Sequence, residues 1–496
     1  MKTFVFLTAL IAATAQASDT AYTITDILTA NAPTASRSTE WKPGQGITLE
    51  VSGMDWLADG RLAVAIRKGE VWIISNPHAA KVADVTFKLF ASGLHEPLGL
   101  RVDGDSLLVM QRSELTRLRD SDGDGEADEY LTEAHGWNVS GAYHGYAYGP
   151  KKDGQGNDWL ALNLDMGDHS NNDIGWRGWA VIKQADGRIA PMSAGFRSPC
   201  GLGANREGDM FCVDQQGTWV PATPVFHLRK GMFALNPEGL GSQKLAGSPL
   251  NIKVPIPNKV LYPEAVRSVP GMVPPAVWLP YNKAGRSGTD LVVSDRGGKF
   301  GPFDGQLLVA EFTDAKINRA YLEKIDGEYQ GAVFPFLNGF ASGIVRLSFS
   351  KEGDLFVGMT SRGWSSLGTR AYGLQRVHWN GQTDFAMKEM KAKPDGFELV
   401  FTEPVDAASA GDVKSYAMSS YTYLYSSAYG SDEVDAQELE ITQTTVSDDK
   451  LHVHLKIEGL RELYVHELHA NGVKSARGKP LVFNDAYYTL NRIPKR

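Results

Sequence analysis

The most chemically explicit run in the chain is Asp120-Ser121-Asp122-Gly123-Asp124-Gly125-Glu126-Ala127-Asp128. Carboxylates at alternate positions with glycine at the sixth match the start of a calcium loop. A hard cation takes about six to eight oxygens, and a tightly curled loop turns alternate side chains inward to supply them. Leu131 stands where a helix-flanked loop would place its bidentate Glu. Leu115-Thr116-Arg117-Leu118, just before the loop, reads as a strand. The expectation is a free-standing loop that holds calcium through Asp120, Asp122, Asp124 and Asp128. Without a cation the four carboxylates repel one another, and the competing reading is a solvated acidic turn.

Two further clusters carry reactive side chains. Tyr143-His144-Gly145-Tyr146-Ala147-Tyr148-Gly149-Pro150 is followed by Asp165-Met166-Gly167-Asp168-His169. His144 enters a strand whose side chains face a central well, where a neutral imidazole can serve as a general base. A hydrogen-bonded structural histidine is the alternative. Gly195-Phe196-Arg197-Ser198-Pro199 places an arginine ahead of a proline-constrained turn. So held, Arg197 can clamp a carboxylate or quinone oxygen, or tie neighbouring units of the fold together.

The elements that position these residues repeat. An apolar stretch, an Asp-Gly or Glu-Gly pair and a second apolar stretch recur six times, at Asp59-Gly60, Asp103-Gly104, Asp153-Gly154, Glu207-Gly208, Asp304-Gly305 and Glu352-Gly353. Each copy reads as a strand, a tight turn and a strand. Four-stranded units at a spacing of roughly 40–50 residues indicate a β-propeller. The fold expected is all-β: a six-bladed β-propeller over 46–385, then a small Ig-like β-sandwich over 388–496. The interval between the fourth and fifth copies is about twice the usual period. It reads as an insertion over one face that shapes a binding site.

From Asp395 onward the strands alternate strictly, as in Leu451-His452-Val453-His454-Leu455. Four histidines fall in this part, His452, His454, His466 and His469, and they read as polar residues on a solvated face rather than metal ligands. Met1-Lys2, the apolar run Phe4–Ala13 and Ala15-Gln16-Ala17 read as a cleaved signal peptide, 1–17, followed by an N-terminal arm, 18–45. The run is too short to span a membrane, and no later segment is long enough. The protein is therefore expected in the periplasm or medium. The formal net charge of −8 argues against a nucleic-acid partner. Cys200 and Cys212 flank one hairpin and can be bridged or reduced. No Cys-x-x-Cys-His is present, so the chain carries no c-type haem.

Gly93-Leu94-His95-Glu96-Pro97-Leu98-Gly99-Leu100, His144, Gly195-Phe196-Arg197-Ser198-Pro199 and the Asp-Gly hairpins together resemble the glucose/sorbosone dehydrogenase propellers. The likeness extends over most of 50–380 and is nearest to an exported bacterial branch without settled chemistry. That branch often carries the acidic loop, a Gln216-Gly217-Thr218-Trp219 stretch and a Tyr488-Thr489-Leu490-Asn491 tail. The resemblance implies pyrroloquinoline quinone and calcium, oxidation of a sugar or aldehyde, and His144 as base. It implies quinone contacts from Arg197 and the displaced Arg346. Ser198 stands in place of the family's Asn, and Thr313, with Lys316 nearby, in place of its quinone-contacting Lys. Three functions remain: a quinone-dependent dehydrogenase passing electrons to a separate cytochrome c, a non-redox propeller that binds or cleaves a glycan, and an interaction scaffold.

Overall fold

A computed structural model describes residues 21–28, 49–139, 142–165 and 175–495. The expected signal peptide lies outside these residues, as do Met166-Gly167-Asp168-His169 and most of the expected arm. Among the described residues, no helix is long and apolar enough to cross a membrane.

The chain is all-β, and its repeats fold as antiparallel four-stranded sheets. The first sheet holds Val51–Trp56, Leu62–Ile66, Glu70–Ser75 and Thr86–Ala91. The second holds Leu100–Asp103, Ser106–Met110, Leu115–Arg119 and Glu129–Ala134. The third runs from Ala147–Lys152 to Ile189–Ala194, and Met232–Phe233 adds a parallel fifth strand. The fourth begins at Gly201–Ala204, and its outer strand, Val277–Leu279, comes from the far end of the long insertion. The fifth begins at Gly288–Val293 and the sixth at Ile344–Phe349.

First strands of successive sheets touch in order, and the sixth touches the first, so the sheets form a ring. This is the arrangement of a β-propeller. Glycine lets the inner strands approach: a Cβ on Gly53 would lie 2.6 Å from the Leu100 nitrogen, and one on Gly201 would lie 2.5 Å from the Asp290 Cα. The hairpin glycines Gly60, Gly104, Gly208, Gly305 and Gly353 all take positive φ, as their turns require. In the third copy Gly156, not Gly154, takes that conformation.

The expected arm requires correction. Tyr22–Leu28, inside 18–45, is the outer strand of the sixth sheet and pairs with Tyr372–Trp379 from Tyr22↔Trp379 to Leu28↔Leu374. The ring is thus closed by the two ends of the repeat region.

Beyond the ring, Met387–Lys393, Gly396–Phe401, His452–Ile457 and Ile441–Val446 form a four-stranded sheet. A second group holds Ala417–Tyr425, Glu433–Leu439, Tyr464–His469 and Asp485–Leu490. Phe397, Leu399, Val453 and Leu455 of the former share one apolar core with Met418, Leu468 and Tyr488 of the latter. Asp485–Leu490 also pairs with Glu328–Leu337, through Gly331↔Thr489 and Val333↔Tyr487. The second group is therefore continuous with the fifth sheet.

His466 departs from the solvated face expected for the four histidines. It is fully buried, its ring 5.5 Å from that of Phe397. Burial pushes its pKa down to about 3, so the imidazole is neutral at ordinary pH. Tyr464–His469 lies between two paired strands with both faces covered, and period-2 alternation does not apply there. His452, His454 and His469 are partly exposed beside Asp449, Asp395 and Asp485.

Candidate active site

Side chains from around the ring converge on one cavity with about 150 Å³ of space for the centres of water-sized molecules. Its residues come from two recurring positions. One set stands at or before first strands: Ser52, Leu98, His144, Arg197, Thr289 and Arg346. The other follows second strands: Arg67 after Leu62–Ile66, Asn163 after Asp158–Leu162, Gln215 after Met210–Val213, and Arg362 after Leu355–Thr360. The site is the face of the ring where second strands end and first strands begin.

His144 sits in the turn just ahead of Ala147–Lys152 rather than within the strand. Its carbonyl accepts from the Asn163 side chain at 3.1 Å and from the Tyr146 backbone at 2.7 Å. The ring packs edge-on to Tyr143, with centroids 5.2 Å apart. Burial lowers its pKa, and the charges of Arg197, Arg112 and Arg67 lower it further. A neutral imidazole, able to accept a proton, results.

Arg197 is fixed by the buried carboxylate of Asp214. The backbone N–H groups of Arg197 and Ser198 donate to it at 2.8 and 2.6 Å. Burial raises the Asp214 pKa to about 6, against those hydrogen bonds, which lower it. The Arg197 guanidinium lies 5.2 Å from the Tyr429 ring centroid, and its buried Nε has no hydrogen-bond partner. A Cβ at position 217 would run into this guanidinium, which accounts for the glycine in Gln216-Gly217-Thr218-Trp219.

Arg346 lines the cavity floor, but it binds backbone. Nε donates to the Ser52 carbonyl at 2.9 Å, and Nη2 to that of Leu98 at 2.6 Å. Nη1 reaches the carbonyls of Val345, Thr289 and Cys200 at 2.7, 3.1 and 3.4 Å. The expected quinone contact is thus a tie between inner segments of five sheets. Lys316 is paired with Asp314 at 3.0 Å and donates to the Lys283 carbonyl, outside the cavity.

Arg67, Arg112 and Arg362 escaped the reading of the sequence. Arg67 donates to the hydroxyls of Tyr143, at 3.2 Å, and Tyr146, while Glu96 lies 3.4 Å behind it. Arg112 pairs with Glu96 at 2.8 Å, and Arg362 with Glu50 at 2.6 Å. A signal was present: each follows the second strand of its repeat by one or two residues, and overlaying the repeats would have aligned them. Among the described residues, Arg67, Arg197, Arg346 and Arg362 line the cavity, and no carboxylate does.

Cys200 and Cys212 are free, buried thiols. Cys200 reaches the cavity, and burial raises its pKa to about 12, so it is an unreactive thiol. The acidic loop lies elsewhere, in the outer hairpin of the second sheet. Carboxylate oxygens of Asp120, Asp122 and Asp124 lie within 4.8 Å of one another. Asp128 is not part of that group; it accepts from the Ser121 nitrogen and hydroxyl at 3.0 and 2.6 Å.

A family described as a domain of unknown function (DUF7133) matches residues 54–245. No curated protein matches the chain. Among solved structures, the chain is similar to a Thermus thermophilus oxidoreductase described as a glucose dehydrogenase. Identity is 16%, the TM-score is 0.49, and the match covers 72% of this chain and 99% of that one. It is similar to the apo form of the soluble aldose sugar dehydrogenase of Escherichia coli, at 13% identity and TM-score 0.48, over 72% and 100%. It is also similar to the PQQ-bound aldose sugar dehydrogenase of Streptomyces coelicolor, at 12% and 0.47, over 72% and 98%. All three carry sugar-dehydrogenase names.

Proposed function

We propose that the cavity is the active site of an exported, six-bladed quinoprotein-like propeller that oxidises a small sugar or aldehyde. One observation carries this: among the described residues, four arginines line the cavity and no carboxylate does. Such a site favours a planar anion that accepts charge-assisted hydrogen bonds and lies against aromatic walls. Pyrroloquinoline quinone, a tricarboxylate, fits that donor set. Arg197, Arg67 and Arg362 would hold it, and Arg346, occupied by carbonyls, would not. Bound there, the quinone supplies the two-electron acceptor. His144 takes the hydroxyl proton of the sugar. A separate cytochrome c is the proposed onward acceptor, and residues 388–496 the proposed C-terminal sandwich.

Calorimetric titration of the full chain with the quinone tests this reading. Binding is expected, and Arg197→Ala should weaken it by about 1–3 kcal/mol. Absence of binding heat in the wild type would move the assignment to the non-redox glycan reading, which the exposed aromatics at the cavity mouth, Trp364 and Tyr429, favour.

Asp120, Asp122 and Asp124 are the proposed calcium ligands. Added calcium should raise the melting temperature, and Asp122→Asn should abolish the rise. An identical calcium response in the variant would remove the assignment.

A further inference from the structure

Three large aromatic side chains at the cavity mouth remain exposed to solvent: Tyr143 at 50%, Trp364 at 57% and Tyr429 at 58%. They come from three distant segments. Tyr143 precedes the third sheet and Trp364 follows the second strand of the sixth. Tyr429 lies at the tip between Ala417–Tyr425 and Glu433–Leu439.

Two of these rings are held by contacts that do not bury them. Tyr143 receives Arg67 on its hydroxyl and Arg112 on its carbonyl, the latter at 2.9 Å. Its hydroxyl lies against Gly363, next to Trp364, where a Cβ would collide with it. The Tyr429 tip docks on the Gln216-Gly217-Thr218-Trp219 stretch. Gly430 donates to the Gly217 carbonyl at 2.9 Å, and Ser431 to that of Pro221 at 3.0 Å. Thr218 and Tyr429 form a β-bridge. The residues beyond the ring are therefore tethered so that one of their side chains becomes part of the cavity wall.

Exposed aromatic surface is held in place only at a cost in buried area, and several such rings around one opening mark a binding surface. Asn163, Gln215 and Ser287, with amide and hydroxyl side chains, also line the cavity. Flat apolar faces together with hydrogen-bonding groups match the pyranose ring, with its C–H faces and its girdle of hydroxyls. A protein partner would need an interface of about 800 Å² per side, far more than three rings supply.

We infer that Tyr143, Trp364 and Tyr429 form a stacking collar, and that the natural substrate is the end of an oligosaccharide chain rather than a free monosaccharide. The terminal ring enters the cavity beside His144, and the following rings lie on the collar. This inference rests on the carbohydrate reading of the cavity given above.

The test is calorimetry of the full chain with glucose, maltotetraose and cellotetraose, with quinone binding measured on the same samples. At least one tetramer should bind 10-fold or more tighter than glucose. Trp364→Ala and Tyr429→Ala should each cut that ratio at least fivefold, whereas Tyr429→Phe, which keeps the ring, should preserve it. Equal affinity for glucose and both tetramers, or a ratio unmoved by the alanine variants, would overturn the collar; so would failure of all three sugars to bind. Retained quinone binding in any of these cases would leave the reading of the cavity standing, and its loss would remove both.

Discussion

Replacing His144 with alanine is expected to lower turnover by about 10²–10⁴-fold, the range for loss of a positioned general base, while leaving the fold intact. The side chain is only partly buried, and its backbone rather than its ring holds the turn. Quinone affinity should change little, so the loss falls on kcat. The pH profile separates a base from a structural residue. Burial and then Arg197, Arg112 and Arg67 depress the His144 pKa below its ordinary 6.5. A base must be unprotonated, so kcat/KM should be full at neutral pH and fall only as pH drops through that depressed value. Arg197→Ala removes one depressing charge, and the acid limb should then move to higher pH. An acid limb unmoved in Arg197→Ala, or absent from the wild type, would remove His144 as base. Steady-state rates with a sugar and an artificial electron acceptor supply the measurement.

Arg346→Ala should destabilise the protein by about 3–5 kcal/mol, the cost of breaking a buried charged network. Five carbonyls converge on this side chain, and four belong to other sheets. Removing the guanidinium leaves buried acceptors unsatisfied at about 1–3 kcal/mol each, partly relieved where water enters. Arg346→Lys should recover only part of the loss, because one ammonium cannot span donors set in a planar fork. Denaturant midpoints for the three proteins check this. A midpoint for Arg346→Ala equal to that of the wild type would show that the tie carries no stability and would restore Arg346 as a free contact for the cofactor.

The hairpins were legible in the chain because an Asp-Gly or Glu-Gly pair between apolar stretches is a local signal. Even there the choice between Gly154 and Gly156 was not, since both glycines fit one turn. The strand Tyr22–Leu28 alternates well enough to be a strand, yet nothing local names a partner some 350 residues away. His144, Arg197 and Arg346 were each recognisable as candidates and do share one cavity. The task of Arg346 was hidden, because convergence of carbonyls from five segments exists only in the folded ring. Arg67 and Arg362 were hidden for another reason. An arginine just after a strand is unremarkable until the same offset is seen in several repeats. Asp128 fits the alternate spacing of the acidic loop, but its own hydrogen bonds to Ser121 hold it apart.

The pairing of Tyr22 with Trp379 bears on the order in which this chain can be built. As the polypeptide emerges from its N-terminus, Tyr22–Leu28 waits for a partner until the sixth repeat has been made. The edge of Glu328–Leu337 likewise waits for Asp485–Leu490. Both delays expose unpaired strand edges, the surfaces most prone to pairing with other chains. Contacts this distant in sequence also make for slow folding. Trimming residues 22–28 would unlatch the ring, and trimming 485–490 would strip an edge from the fifth sheet. Ala21 and Asn491 are buried and Ile493 still donates to Glu462, so fusion partners and protease sites belong ahead of residue 21 or beyond residue 493, outside both latches.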